Sequence, residues 1–107
     1  MNDAGESNNS SVEDQSAFPV TRDVEIVNKR GLHARASAKF VQMAETFDAS
    51  VTVTRGNETV GGTSIMGLMM LAAGPGSIIT VQATGVQAED AVDALCTLVS
   101  SGFDEDD

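Results

Sequence analysis

Between Val20 and Val99 the spacing of apolar side chains switches repeatedly between a period of two and a period of three to four, which restricts the fold more than any other feature. Val20, Arg22, Val24 and Ile26 alternate with Thr21, Asp23, Glu25 and Val27, as in a strand with one buried face. Asn28-Lys29-Arg30-Gly31 breaks that pattern. From Ala34 to near Thr46, the residues Ala34, Ala38, Val41 and Ala44, with Ser37, Phe40 and Phe47, fit a helix carrying one apolar stripe. Residues 50–54 alternate again, and Arg55-Gly56-Asn57-Glu58 turns them into a short strand at Thr59 to Gly61, a hairpin. Thr63 and Ser64 are placed to cap a short helix running to about Ala73, with Gly74-Pro75-Gly76 as its stop. Ser77 to Thr84 is the most strand-like run, closed by Gly85. Ala88, Ala91, Val92, Leu95, Val99 and Cys96 then form a helical face, with Glu89, Asp90 and Asp93 early in the helix, where its dipole favours acids.

The order β-α-β-β-α-β-α predicts an α+β fold: a two-layer open-faced β-sandwich with a four-stranded, mainly antiparallel sheet and three helices on one face. A chain of 107 residues has room for one such domain. The reading divides it into a polar, acidic and disordered tail over 1–17, a body over 18–103 and an acidic run over 104–107. The chain has 16 acidic and 6 basic residues. Four acids lie in each tail, which leaves eight acids against six bases in the body. The acidity belongs mostly to the ends, where solubility is the plain reading.

Several function classes fall away on composition. A net charge of −10 opposes binding to nucleic acid. No apolar stretch approaches the length of a bilayer span, and no basic stretch followed by an apolar run opens the chain, so no membrane insertion or secretory signal is expected and a cytoplasmic location is. The one cysteine, Cys96, cannot close an internal disulfide, and with one histidine no multi-histidine metal site is available. No metal or organic cofactor is expected.

The chemistry concentrates in Gly31-Leu32-His33-Ala34-Arg35-Ala36-Ser37-Ala38-Lys39, where the lone histidine stands between a glycine-containing loop and a helix start. The first amides of a helix lack intrahelical partners and sit at its positive end, so an anion is well held there. A neutral imidazole attacks phosphorus without a separate base. Arg35 offers planar paired donors to phosphoryl oxygens. A histidine at a helix start also suits a cap or a packed surface residue, and an arginine is commonly a solvated charge. No triad partner lies nearby in sequence and no nucleotide-binding loop is present, so a reacting His33 would receive its group from another protein.

The segment NKRGLHARASAKFVQMA resembles the active-site segment of the HPr family, the histidine-phosphorylatable carriers of the bacterial phosphoenolpyruvate phosphotransferase system, and SIMGLMMLAAGPGS resembles that family's second signature. The likeness runs from about Val20 to Phe103. The ending Ser101-Gly102-Phe103-Asp104-Glu105-Asp106 is similar to that of the nitrogen-related NPr branch and of HPr-like proteins of alphaproteobacteria. The resemblance implies that His33 accepts a phosphoryl group on Nδ1 as a phosphohistidine intermediate, that Arg35 stabilises the phosphate, and that Ser64 aligns with a serine modified by an ATP-dependent HPr kinase/phosphorylase. Ala36 departs from the family's usual proline, leaving one more amide donor and a looser first turn.

The resemblance further implies a monomeric phosphoryl-transfer carrier rather than a free-standing enzyme. It would take its group from enzyme I and pass it to a IIA-type protein, in the nitrogen-related regulatory branch or alternatively in sugar transport. A phosphorylation-switched binding regulator is the alternative of another class. Leu32, Ala34, Ile65, Met66 and Met69 are the candidate docking surface. Ser64 serves equally as a helix N-cap or as a cap that is also a regulatory site. Lys29, Arg30, Arg35 and Lys39 make the sequence around His33 locally basic.

Overall fold

The computed structural model describes residues 18–105, so the stretch read as an amino-terminal tail, together with Asp106 and Asp107, lies outside the described residues. The elements are β1 (Val20–Glu25), α1 (Ala34–Ala44), β2 (Ser50–Arg55), β3 (Glu58–Gly61), α2 (Ile65–Met70), β4 (Ile78–Thr84) and α3 (Ala88–Ser100), followed by a short 3-10 turn, Gly102–Asp104. The four strands form one antiparallel sheet in the order β1-β4-β2-β3, with the helices on one face. This is the expected open-faced α+β sandwich.

The period of two decides which face of each strand is buried. Ile79, Val81 and Ala83 of β4 and Val51 and Val53 of β2 point under the helices, and Val53 stands opposite both Val60 and Val81. The other face is polar: Thr80 Oγ1 donates to Asp23 (2.7 Å), and the Thr54 and Thr59 hydroxyls pair at 2.7 Å. Between the layers Ile26, Phe40, Leu68, Leu95, Val99 and Phe103 are fully buried, each contributing about 1.5–3 kcal/mol by leaving water. α3 follows its predicted face, with Ala88, Ala91, Val92, Leu95, Cys96 and Val99 buried. Arg22 pairs with Asp93 of this helix at 2.7 Å, and this bond raises the guanidinium pKa above its usual value. Burial likewise pushes the Cys96 thiol up.

Two local readings need correction. The buried stripe of α1 is Ala36, Ser37, Phe40, Val41 and Ala44, whereas Ala34 is exposed. Ala34 and Ala38 fit a helical period equally well from composition, and only packing against the sheet sets the phase. α2 ends at Met70, short of the expected Ala73 and of the glycine-proline stop. Ala72 takes a left-handed φ of 53°. The reason is tertiary: Leu71 and Ala73 turn into the core, Arg55 Nη1 donates to the Leu71 carbonyl (3.1 Å) and the Leu32 amide donates to the Ala73 carbonyl (3.0 Å).

Candidate functional site

The loop before α1 is shaped by backbone needs. Gly31 has φ of 64°, and a Cβ there would stand 2.3 Å from the Ala73 carbonyl oxygen, so only glycine fits both the left-handed turn and the approach of the two loops. The Gly31 amide donates to the Asn28 carbonyl (3.1 Å), and the Asn28 side-chain amide returns a bond to the Gly31 carbonyl (2.9 Å). Gly31→Ala is expected to destabilise the domain by more than about 1 kcal/mol, read as a fall in thermal midpoint. An unchanged midpoint would mean that the two loops are free to part.

His33 occupies the N-cap of α1 with extended backbone (φ −73°, ψ 179°), yet its imidazole makes no capping bond. The first helical hydrogen bond runs from the Ser37 amide to the His33 carbonyl (2.9 Å). The amides of Ala34, Arg35 and Ala36 therefore have no intrahelical acceptor, and the side chain that could have capped them turns elsewhere. Ser37, fully buried, donates its hydroxyl to the Leu32 carbonyl (3.2 Å), which ties the loop to the helix.

The imidazole turns to the carboxyl end of the chain. His33 Nε2 lies 2.5 Å from Glu105 Oε2, with side-chain exposures of 17% and 12%. Glu105 Oε1 accepts a second bond from the Asn28 amide at 3.1 Å. By composition the acidic run at 104–107 suits a solvated tail, but within it Glu105 is packed into the site. Its 72-residue separation from His33 hid it, because only the path of the last turn joins the two. Lys39, counted among the bases around His33, donates Nζ to the Phe103 carbonyl (2.7 Å) and so fastens that turn.

His33 borders an open depression of about 300 Å³ that is also lined by Arg30, Leu32, Met69, Ala72, Ala73 and Gly74. Ile65, Met66, Met69 and Met70 are 41%, 68%, 40% and 67% exposed, although α2 is only six residues long. Ala34, exposed rather than part of the buried stripe, is accessible as the docking reading requires. Leu32 is corrected: at 4% exposure it belongs to the core and reaches the surface only as floor of the depression. Arg35 is exposed and makes no hydrogen bond or ion pair among the described residues, so its guanidinium is available to an incoming anion. Ser64 is the N-cap of α2, its hydroxyl accepting from the Gly67 amide (2.9 Å). Ser64→Ala is expected to cost about 1 kcal/mol, measurable by denaturant titration. No loss would show that the capping bond contributes nothing net.

Comparison with known proteins agrees with this geometry. The family model described as the PTS HPr component phosphorylation site matches residues 20–101. The phosphocarrier protein HPr of Cupriavidus necator is 49% identical over 84 residues, covering 78% of this chain and 94% of that one. The phosphocarrier protein NPr of Escherichia coli is 42% identical over 88 residues, covering 81% and 98%. Among solved structures, HPr-C-His from Thermoanaerobacter tengcongensis superposes with a TM-score of 0.78 at 40% identity, over 81% of this chain and 98% of that one. These matches span nearly all the described residues and include both signature segments, and the chain belongs to the HPr family of phosphocarrier proteins of the phosphotransferase system.

Proposed function

We propose that this phosphocarrier receives its phosphoryl group on His33 from phosphorylated enzyme I and hands it to a IIA-type protein of the nitrogen-related branch. The observation that carries the assignment to His33 is its N-cap position with a side chain that does not cap: the nucleophile stands beside unpaired amides at the positive end of α1. In the transfer the lone pair of Nδ1 forms the new bond to phosphorus. The bond from phosphorus to the donor histidine breaks, and its electron pair returns to the donor nitrogen. The amides of Ala34, Arg35 and Ala36 and the exposed Arg35 guanidinium are placed to hold the phosphoryl oxygens.

The exposed Ile65, Met66, Met69 and Met70 supply an apolar contact of the kind a transient docking partner uses, with Met69 reaching the edge of the His33 depression. The nitrogen-related branch is favoured by the ending Ser101-Gly102-Phe103-Asp104-Glu105-Asp106, through its resemblance to that of the NPr branch. A phosphate on Ser64 would face this same docking helix and repel an acidic partner. Incubation with enzyme I and phosphoenolpyruvate is expected to give an acid-labile phosphorylated species that discharges to a nitrogen-type IIA protein faster than to a sugar-type one. Equal or reversed preference would overturn the branch, and no uptake would overturn the carrier assignment to this chain. With HPr kinase and ATP, an acid-stable phosphate absent from Ser64→Ala is the expected second modification, and its absence in the wild-type chain would reduce Ser64 to a cap.

A further inference from the structure

We infer that Glu105 is a positioning residue for His33: its carboxylate, steered by Asn28, keeps the ring proton on Nε2 and leaves Nδ1 as the nitrogen with the free lone pair. This rests on the reading of His33 as the phosphoryl acceptor. An ionised carboxylate only accepts hydrogen bonds, so the 2.5 Å contact between Glu105 Oε2 and His33 Nε2 requires the proton on Nε2. In the neutral ring the lone pair then belongs to Nδ1. As Nδ1 bonds to phosphorus, positive charge develops over the ring. Nε2 keeps its proton, and the carboxylate across the ring stabilises that charge as it forms. It does so from the nitrogen that is not phosphorylated, away from the incoming anion.

The surroundings are built to hold Glu105 there. The two hydrogens of the Asn28 amide go to the Gly31 carbonyl at 2.9 Å and to Glu105 Oε1 at 3.1 Å, and Asn28 is only 4% exposed. Both carboxylate oxygens therefore have a donor. The backbone is forced as well: Gly102, Phe103 and Asp104 follow one another with φ of 69°, 59° and 57°. For Phe103 in particular this left-handed conformation is strained. Burying the Phe103 ring does not by itself require two further left-handed residues around it. The hook they make, fastened by Lys39 Nζ on the Phe103 carbonyl, is what turns Glu105 back onto His33.

The test uses the full chain with Glu105→Gln and Glu105→Asp, phosphorylated by enzyme I and phosphoenolpyruvate, and reads initial uptake rate, thermal midpoint and the 15N resonances of the imidazole without donor. The wild type is expected to show one neutral tautomer, protonated on Nε2. In Glu105→Gln, whose NH2 group can itself face Nε2, the resonances are expected to shift toward the other tautomer. Uptake should slow about tenfold or more through loss of the charge-assisted bond, with the protein still folded. Glu105→Asp is expected to recover part of the rate and the wild-type tautomer. A wild-type ring protonated on Nδ1, or a Glu105→Gln chain with wild-type rate or wild-type tautomer, would overturn the inference. Failure of the wild type to take up phosphate would instead overturn the carrier reading, since the tautomer is read with no donor present.

Discussion

Replacement of His33 by alanine is expected to abolish acid-labile phosphoryl uptake from enzyme I altogether. His33 is the sole histidine of the chain, so no other residue can form a phosphohistidine in its place. The variant should remain folded, because the imidazole contributes no capping bond to α1 and its ring packs at the surface of the site rather than in the core. What is lost is the contact with Glu105, a charge-assisted bond worth about 1.5–3 kcal/mol, against a total stability for a domain of this size on the order of 5–15 kcal/mol. Asn28 remains to hold the Glu105 carboxylate. Circular dichroism should show a cooperative melt at a modestly lower midpoint. Acid-labile uptake by a folded His33→Ala chain would place the acceptor elsewhere and sink the proposed mechanism.

The largest loss of stability is expected from Phe103→Ala. The ring is fully buried although it lies close to the carboxyl end of the sequence, and it belongs to the same hydrophobic core as Leu95 and Val99 of α3. Truncating a buried phenylalanine costs about 3–5 kcal/mol, which for a domain of this length lowers the thermal midpoint by roughly 10 °C or more. The change also removes the buried side chain that anchors the hook presenting Glu105, although the Lys39 bond to the backbone carbonyl of residue 103 can persist. At temperatures where the variant is still folded, uptake should slow as it does in Glu105→Gln. Phe103→Leu keeps most of the apolar volume and is expected to retain most of both properties. A Phe103→Ala chain within about 1 kcal/mol of the wild type would show that the carboxyl end is an appendage of the fold rather than part of its core.

Much of the site was readable because its signals are local. The step from a period of two to a helical period after Gly31 places His33 at a helix start, and a serine ahead of a short apolar helix marks the Ser64 cap, which the Gly67 amide confirms. Glu105 and Asn28 carried no such signal. A carboxylate inside an acidic run is indistinguishable by composition from a solvated tail, and an asparagine three residues ahead of a glycine reads as turn chemistry, which it also performs here. Leu32 shows the opposite case: its place beside the histidine in sequence suggests the surface, whereas Gly31 reverses the chain and sends it inward.

The succession of strands and helices, the buried face of each strand and the helix-start setting of His33 follow from periodicity and capping, which act over a few neighbouring residues. The rotational phase of α1, the early end of α2, the sheet order β1-β4-β2-β3 and the closure of Glu105 on His33 were decided only when distant segments packed. Each of these depends on burial or on a bond between residues far apart in the chain, and such energies exist only once the two layers have come together.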